Sequence, residues 1–145
     1  MHGRMPEQRY DQSAVLTFPL GLPGFEGATR FVLREHAEYA PVVSLQSIDL
    51  DLSFLAVPVG ALDADYALAV NAEDLRRLGL PTERQPEPGL DVLCLALLCA
   101  PKSGPATANL LAPVVVNLKT HLAVQAVRSD TRYSHQQPLP GDGAC

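Results

Sequence analysis

No stretch of this 145-residue chain stays apolar for the roughly 20 residues that a bilayer-spanning helix requires, the longest such run lying around residues 92 to 100. The opening "MHGRMPEQRYDQS" has no hydrophobic segment followed by a cleavage site, so a membrane protein and a secreted one are both disfavoured, and the chain reads as cytoplasmic. Basic residues are scarce and dispersed. Only Arg76 and Arg77 are adjacent, which leaves no stripe able to track phosphates and argues against direct nucleic-acid binding. Cysteine is limited to Cys94, Cys99 and Cys145, an odd number that suits a reducing compartment better than a disulfide framework. In an extended run Cys94 and Cys99 point to opposite faces, so they do not form a joint metal site.

The groups that catalysis needs are also missing as patterns. His2, His36, His121 and His135 show no HxH or HExxH spacing, and Glu35 and the neighbouring His36 point apart in a strand. Ser44, Ser47, Ser53 and Ser134 lie outside any G-x-S-x-G turn. The glycines of "LGLPGFEG" match no phosphate-loop spacing and are explained by a turn at Pro23-Gly24, with Gly24 free to take positive φ. The pairs Asp49/Asp51 and Asp63/Asp65 would each share a face if extended, the minimum for acid–base work, but turn formation and solvation explain them more simply. No cofactor or metal is implied, and the chain reads as a non-enzyme. The enzymatic alternative is an uncharacterised hydrolase using one of the aspartate pairs.

What is present is apolar patterning. At 47% hydrophobic and 19% charged, the chain has the composition of one globular domain able to bury a core unaided. "AVLTF", "TRFVLREH" and "APVVSLQSIDLDLSFLAVPV" predict four short strands, with "DLD" as a turn and Pro58 closing the last of them. "NAEDLRRLGL" predicts a helix of a turn or two, with Asn71 as N-cap, Glu73 and Asp74 in the first turn and Gly79 as the stop. Asp63 to Ala69 is compatible with extended structure. "LDVLCLALLCA" is almost continuously apolar and is expected at the centre of a sheet.

Further along, Val114, Val116 and Leu118 alternate with Val115, Asn117 and Lys119, which predicts one apolar face and one ending in polar groups. After "LAVQAV" comes a polar tail from Arg128 onward. The sum is an all-β fold of seven or eight short strands with one or two short helices, arranged as an antiparallel barrel or sandwich. Its domain spans 14–139, between a flexible N-terminal segment at 1–13 and a flexible tail at 140–145.

The net charge of −5 is uneven. Residues 26 to 91 carry twelve acidic and five basic side chains, whereas residues 92 to 145 carry two and four. An acidic middle fits a basic protein partner, because opposite patches steer encounter and fix register.

Taken in order, "FPLGLPGFEGATRFVL" at 18–33, "PVVSLQSIDLDLSFLAVPV" at 41–59 followed by Asp65-Tyr66, "ATANLLAPVVVNLKTHLAVQAV" at 106–127 and "YSHQQPL" at 133–139 resemble the flagellar assembly factor FliW family. Each piece alone is weakly diagnostic; their order and spacing together are specific. Gln136 departs from the arginine-then-histidine ending usual in the family. The resemblance implies a non-enzymatic regulator with a small antiparallel β-barrel-like fold and two protein partners, the translational repressor CsrA and flagellin; the chain is expected to be a monomer. Sequestering CsrA relieves repression of flagellin translation, and free flagellin releases CsrA. A structural component of the flagellum is the other alternative to this regulator.

Within that implied role, acidic side chains beside aromatic anchors are the expected CsrA contacts. Asp63, Asp65 and Tyr66 form one group, and Glu35 and Glu38 near Tyr39 form a second. For flagellin, the candidates are Gln46 within Leu45–Ser47, and Thr107 and Asn109 within Ala106–Leu110, where polar groups can pair with an incoming main chain.

Overall fold

The computed structural model describes residues 14–139. The expectations for segments 1–13 and 140–145, and for His2 and Cys145, lie outside the described residues. Among the described residues nine strands and one α-helix follow in order: β1 Val15–Thr17, β2 Arg30–Glu35, β3 Val43–Ser47, β4 Ser53–Pro58, α1 Ala72–Arg77, β5 Val92–Cys99, β6 Thr107–Ala108, β7 Val114–Asn117, β8 Ala123–Gln125 and β9 Gln137–Pro138. Short 3-10 turns at Ala37–Tyr39 and Val59–Ala61 complete the regular structure.

Strands β1 to β5 form an antiparallel meander. The sheet then forks at β5. Val92–Leu95 pair with β7, which pairs with β8, while Leu98 and Cys99 pair with β6, which pairs with β9. The fold is therefore mostly β with minor helix, and the barrel-like expectation is corrected to the extent that the sheet is not a closed barrel. Strand β1 and the residue before β8 meet at a single parallel bridge, Thr17 with Leu122, where the Thr17 N–H donates to the His121 carbonyl at 3.0 Å. Parallel neighbours cannot be zipped by a tight hairpin, and the chain leaves β1 through Pro19 and a turn soon after that bridge.

That turn is the one expected. The Leu22 carbonyl accepts from the Phe25 N–H at 2.7 Å around Pro23 and Gly24, and Gly24 sits at φ 86°. Gly21 is more constrained, since at φ 67° a Cβ would lie 2.5 Å from the Glu26 carbonyl oxygen. The helix also follows its sequence signals: Asn71 Oδ1 accepts from the Asp74 N–H at 2.8 Å, and the Leu80 N–H returns to the Leu75 carbonyl beyond Gly79.

Side-chain alternation sorts the apolar residues into two cores on opposite faces of the sheet. Phe18, Phe31, Leu45, Ala56, Leu95, Val114 and Val116 pack together on one face. Val57, Val92, Cys94, Ala96, Val115 and Val124 pack on the other, covered by Leu75 of α1 and by Leu78, the residue that caps its C-terminus. Strand β5 serves both, which explains its unbroken apolar run. The expectation for 114–119 needs correction here. Both faces of β7 are buried, because α1 roofs the second one; Asn117 is buried and donates its amide to the Leu78 carbonyl at 2.7 Å, while Leu118 is exposed. Two dipeptide strands were not anticipated from the sequence, β6 and, in the polar tail, β9.

Candidate protein-interaction site

The two groups of acidic candidates take different structural forms. Residues 63–69 form no strand, and the first four of them make a turn. After the Val59–Ala61 turn, Asp63 Oδ1 accepts from the Asp65 N–H at 2.9 Å and the Asp63 carbonyl from the Tyr66 N–H at 3.0 Å. This tight turn leaves Asp65 exposed and sends Tyr66 inward. The Tyr66 hydroxyl donates to the Leu110 carbonyl at 2.7 Å, and its ring lies 4.4 Å from that of Tyr133. Arg128 closes the cluster, its guanidinium 4.7 Å from the Tyr133 ring centre and 5.4 Å from that of Tyr66.

Arg128 is buried with its charge met on every side. Asp130 accepts in a two-point fork at 2.9 and 3.0 Å, and the Ala67 carbonyl takes a further N–H. Burial raises the Tyr66 pKa, with Arg128 pulling the other way. The Asp130 hydrogen bond raises the Arg128 pKa, and the same bond lowers that of Asp130. Tyr66 is thus an internal anchor of the loop, and the charge available to a partner at this group is that of Asp65.

The second group presents itself outward. Glu35 ends β2 and Glu38 lies in the 3-10 turn; both are exposed, and neither forms an ion pair with another described residue. Tyr39 is 62% exposed. Its ring meets His36 edge-on at 5.9 Å, and His36 Nε2 is 3.0 Å from the Ser44 hydroxyl of β3, so the aromatic is held in place without being covered. Ser44 faces Arg34 on β2 and Leu55 on β4. Gln46 and Ser53 share that face by strand alternation. An exposed apolar side chain, Leu55, therefore sits on the same outer surface as Tyr39 and Gln46.

The flagellin candidates do not lie on neighbouring strands, since β4 and β5 separate β3 from β6. Gln46 is exposed and donates to the Ser47 and Leu52 carbonyls, both at 3.3 Å. Thr107 is half-buried between Cys99 and Pro138. Asn109 Oδ1 accepts from the Leu111 and Ala112 N–H groups at 3.1 and 2.9 Å, a local turn. The aspartate pairs are likewise engaged singly: Asp49 bridges to Arg30 at 2.7 Å, and Asp63 holds its own turn. Among the described residues no group of three or more His, Cys, Asp or Glu could hold a metal ion.

A model of the FliW protein family matches residues 2–139 of the chain. The chain belongs to the FliW family. It is 32% identical over 141 residues to a flagellar assembly factor FliW of Bacillus licheniformis, covering 96% of this chain and 94% of that one. It is 29% identical over 142 residues to the flagellar assembly factor FliW of Bacillus subtilis, covering 97% and 94%. A crystal structure of the flagellar assembly factor FliW superposes with a TM-score of 0.75 at 26% identity, over 90% of this chain and 88% of that one.

Within this FliW fold, the residue that the sequence concealed is Arg128. It sits where the chain turns from an apolar strand into a polar tail, and charge alone assigns it to solvent. The available signal is parity: Val124 and Ala126 face the core under α1, and Arg128 continues the same alternation.

Proposed function

We propose that this chain is a non-enzymatic flagellar assembly regulator that binds CsrA and flagellin as alternative partners, and that CsrA held by it no longer represses flagellin translation. The observation that carries this reading is a family match running nearly end to end, with relatives named as flagellar assembly factors at 32% and 35% identity among them. The CsrA surface is assigned to Glu35, Glu38 and Tyr39, with Leu55 beside them and Asp65 as a separate acidic point. Unpaired exposed carboxylates around a fixed exposed aromatic supply both steering charge and a burial anchor for a partner with basic surfaces. The acid excess over 26–91 and the absence of a basic stripe support contact with CsrA rather than with RNA. Gln46, Thr107 and Asn109 remain the candidates for flagellin. The protein acts as a cytoplasmic monomer in this scheme; among the described residues no helix is long and apolar enough to cross a membrane.

The test is a size-exclusion and calorimetric titration of the purified protein with CsrA, with flagellin, and with the flagellin message alone. A stoichiometric CsrA complex that flagellin dissociates, together with no binding to RNA alone, is the expected result. Absence of any CsrA complex, or tight salt-dependent RNA binding, overturns the proposal.

A further inference from the structure

Residues 128–139 contain little regular structure, yet they are tied to the fold at separated points. The Ser134 carbonyl accepts from the Leu110 N–H at 3.0 Å, Gln137 and Pro138 pair with β6, and Leu139 packs on the core beneath α1. Their grip on the acidic loop is unusually specific. The Ala67 N–H donates to the Tyr133 hydroxyl at 3.0 Å and the Ala67 carbonyl accepts from Arg128, so both polar groups of one residue are held by this segment. Tyr66, next to it, stacks on Tyr133 and donates to Leu110, the residue whose own N–H is held by Ser134.

The β6 attachment is the weak end. It is two residues long, and Pro138 contributes no N–H to it. At the other end Arg128 is enclosed by two rings, a carboxylate and a carbonyl. The segment is thus a strap with one firm and one exchangeable fastening, and the loop carrying Asp63 and Asp65 is bonded to the middle of it.

We propose that residues 128–139 form a latch that sets the position of the 63–67 loop, so that displacing β9 from β6 loosens that loop through Tyr133 and Arg128. This deepens the proposed function, because Thr107 of β6 and Asp65 of the loop were assigned there to different partners. An extended segment that pairs with β6 along more than two residues displaces β9, and the loss of the Tyr133 and Arg128 bonds then reaches the acidic loop. Coupling of this kind is a free energy shared by two sites through one element with docked and undocked states.

Amide hydrogen exchange on the full chain tests the latch without any partner. Tyr133→Phe keeps the ring stack and removes the acceptor of the Ala67 N–H. The expected outcome is that Ala67 exchanges about tenfold faster or more, and that the amides of Ala108 and Leu110 accelerate with it, while those of β5 at Val92–Leu95 do not. Acceleration at Ala67 alone overturns the proposal, because it shows a local bond with no shared element. Gln137→Pro supplies the reciprocal variant, weakening β9 from the far end; it is expected to accelerate Ala67, and an unchanged Ala67 overturns the proposal equally. With partners, the fold-change in CsrA affinity at saturating flagellin is expected to shrink in Tyr133→Phe. If neither partner binds the unsubstituted protein, the functional reading fails while the exchange data still decide the latch.

Discussion

The Asn117 side chain donates to the Leu78 carbonyl at 2.7 Å, tying the middle of the sheet to the end of the only α-helix among the described residues. Its oxygen accepts from the Lys119 N–H at 2.8 Å, so one buried amide secures both α1 and the β7–β8 hairpin. Asn117→Ala leaves the Leu78 carbonyl unsatisfied in an apolar setting and is expected to cost about 2 kcal/mol. Urea unfolding of the two proteins measures it; a difference within error means that water replaces the amide.

Gly21 and Gly24 both hold positive φ, but only Gly21 faces backbone at 2.5 Å. Gly24→Ala is expected to lose about 1 kcal/mol from the left-handed conformation alone. Gly21→Ala adds a steric clash and is expected to lose at least about 2 kcal/mol. Comparing midpoints from thermal denaturation ranks the two, and equal losses would show that the Glu26 backbone yields.

Burial pushes the Cys94 thiol from 9.0 up to about 12, with Arg128 opposing. A raised folded pKa means that its contribution is intact below pH 9, where both states hold the proton. It is lost between pH 9 and about 12, as the unfolded thiol ionises and the folded one does not. Stability is therefore expected to fall on the alkaline side by up to about 1.4 kcal/mol per pH unit from this group. In Cys94→Ala that part of the slope disappears, whatever the cost of the substitution at neutral pH. Parallel pH profiles for the two proteins above pH 9 would count against the assignment.

For the proposed CsrA surface, reversing Glu35 and Glu38 to lysine is expected to slow association by about three- to tenfold at low ionic strength, with the rates converging as salt screens the charges. Tyr39→Ala acts instead on dissociation, weakening the complex by about 2 kcal/mol. Asp65→Lys gives a smaller change than the Glu35/Glu38 pair, as its neighbouring aromatic is turned inward. Stopped-flow association across a salt series separates these effects, and rates for the Glu35/Glu38 variant that equal those of the unsubstituted protein at every salt concentration remove that patch.

The elements most legible in the sequence were those governed by local chemistry. Asn71 caps its helix, Pro23-Gly24 makes its turn, and the run at Val92–Cys99 is central, because each depends on neighbours a few residues away. Alternation over Val114–Lys119 gave the faces but not their burial, since what covers Val115 is a helix from forty residues earlier. β6 and β9 are too short to show a period at all. Tyr66 was singled out for its position beside two aspartates; that its hydroxyl is used inside depends on Leu110, Arg128 and Tyr133, whose proximity no spacing announces.

Strand β5 belongs to both cores, with Leu95 on one side and Cys94 and Ala96 on the other. Neither core can melt while its wall stands, and the wall has no support once either is gone. Heat or denaturant is therefore expected to dismantle the meander and the helix-covered face together, in one cooperative transition with equal calorimetric and van't Hoff enthalpies, and to spare no half of the molecule as a folded remnant.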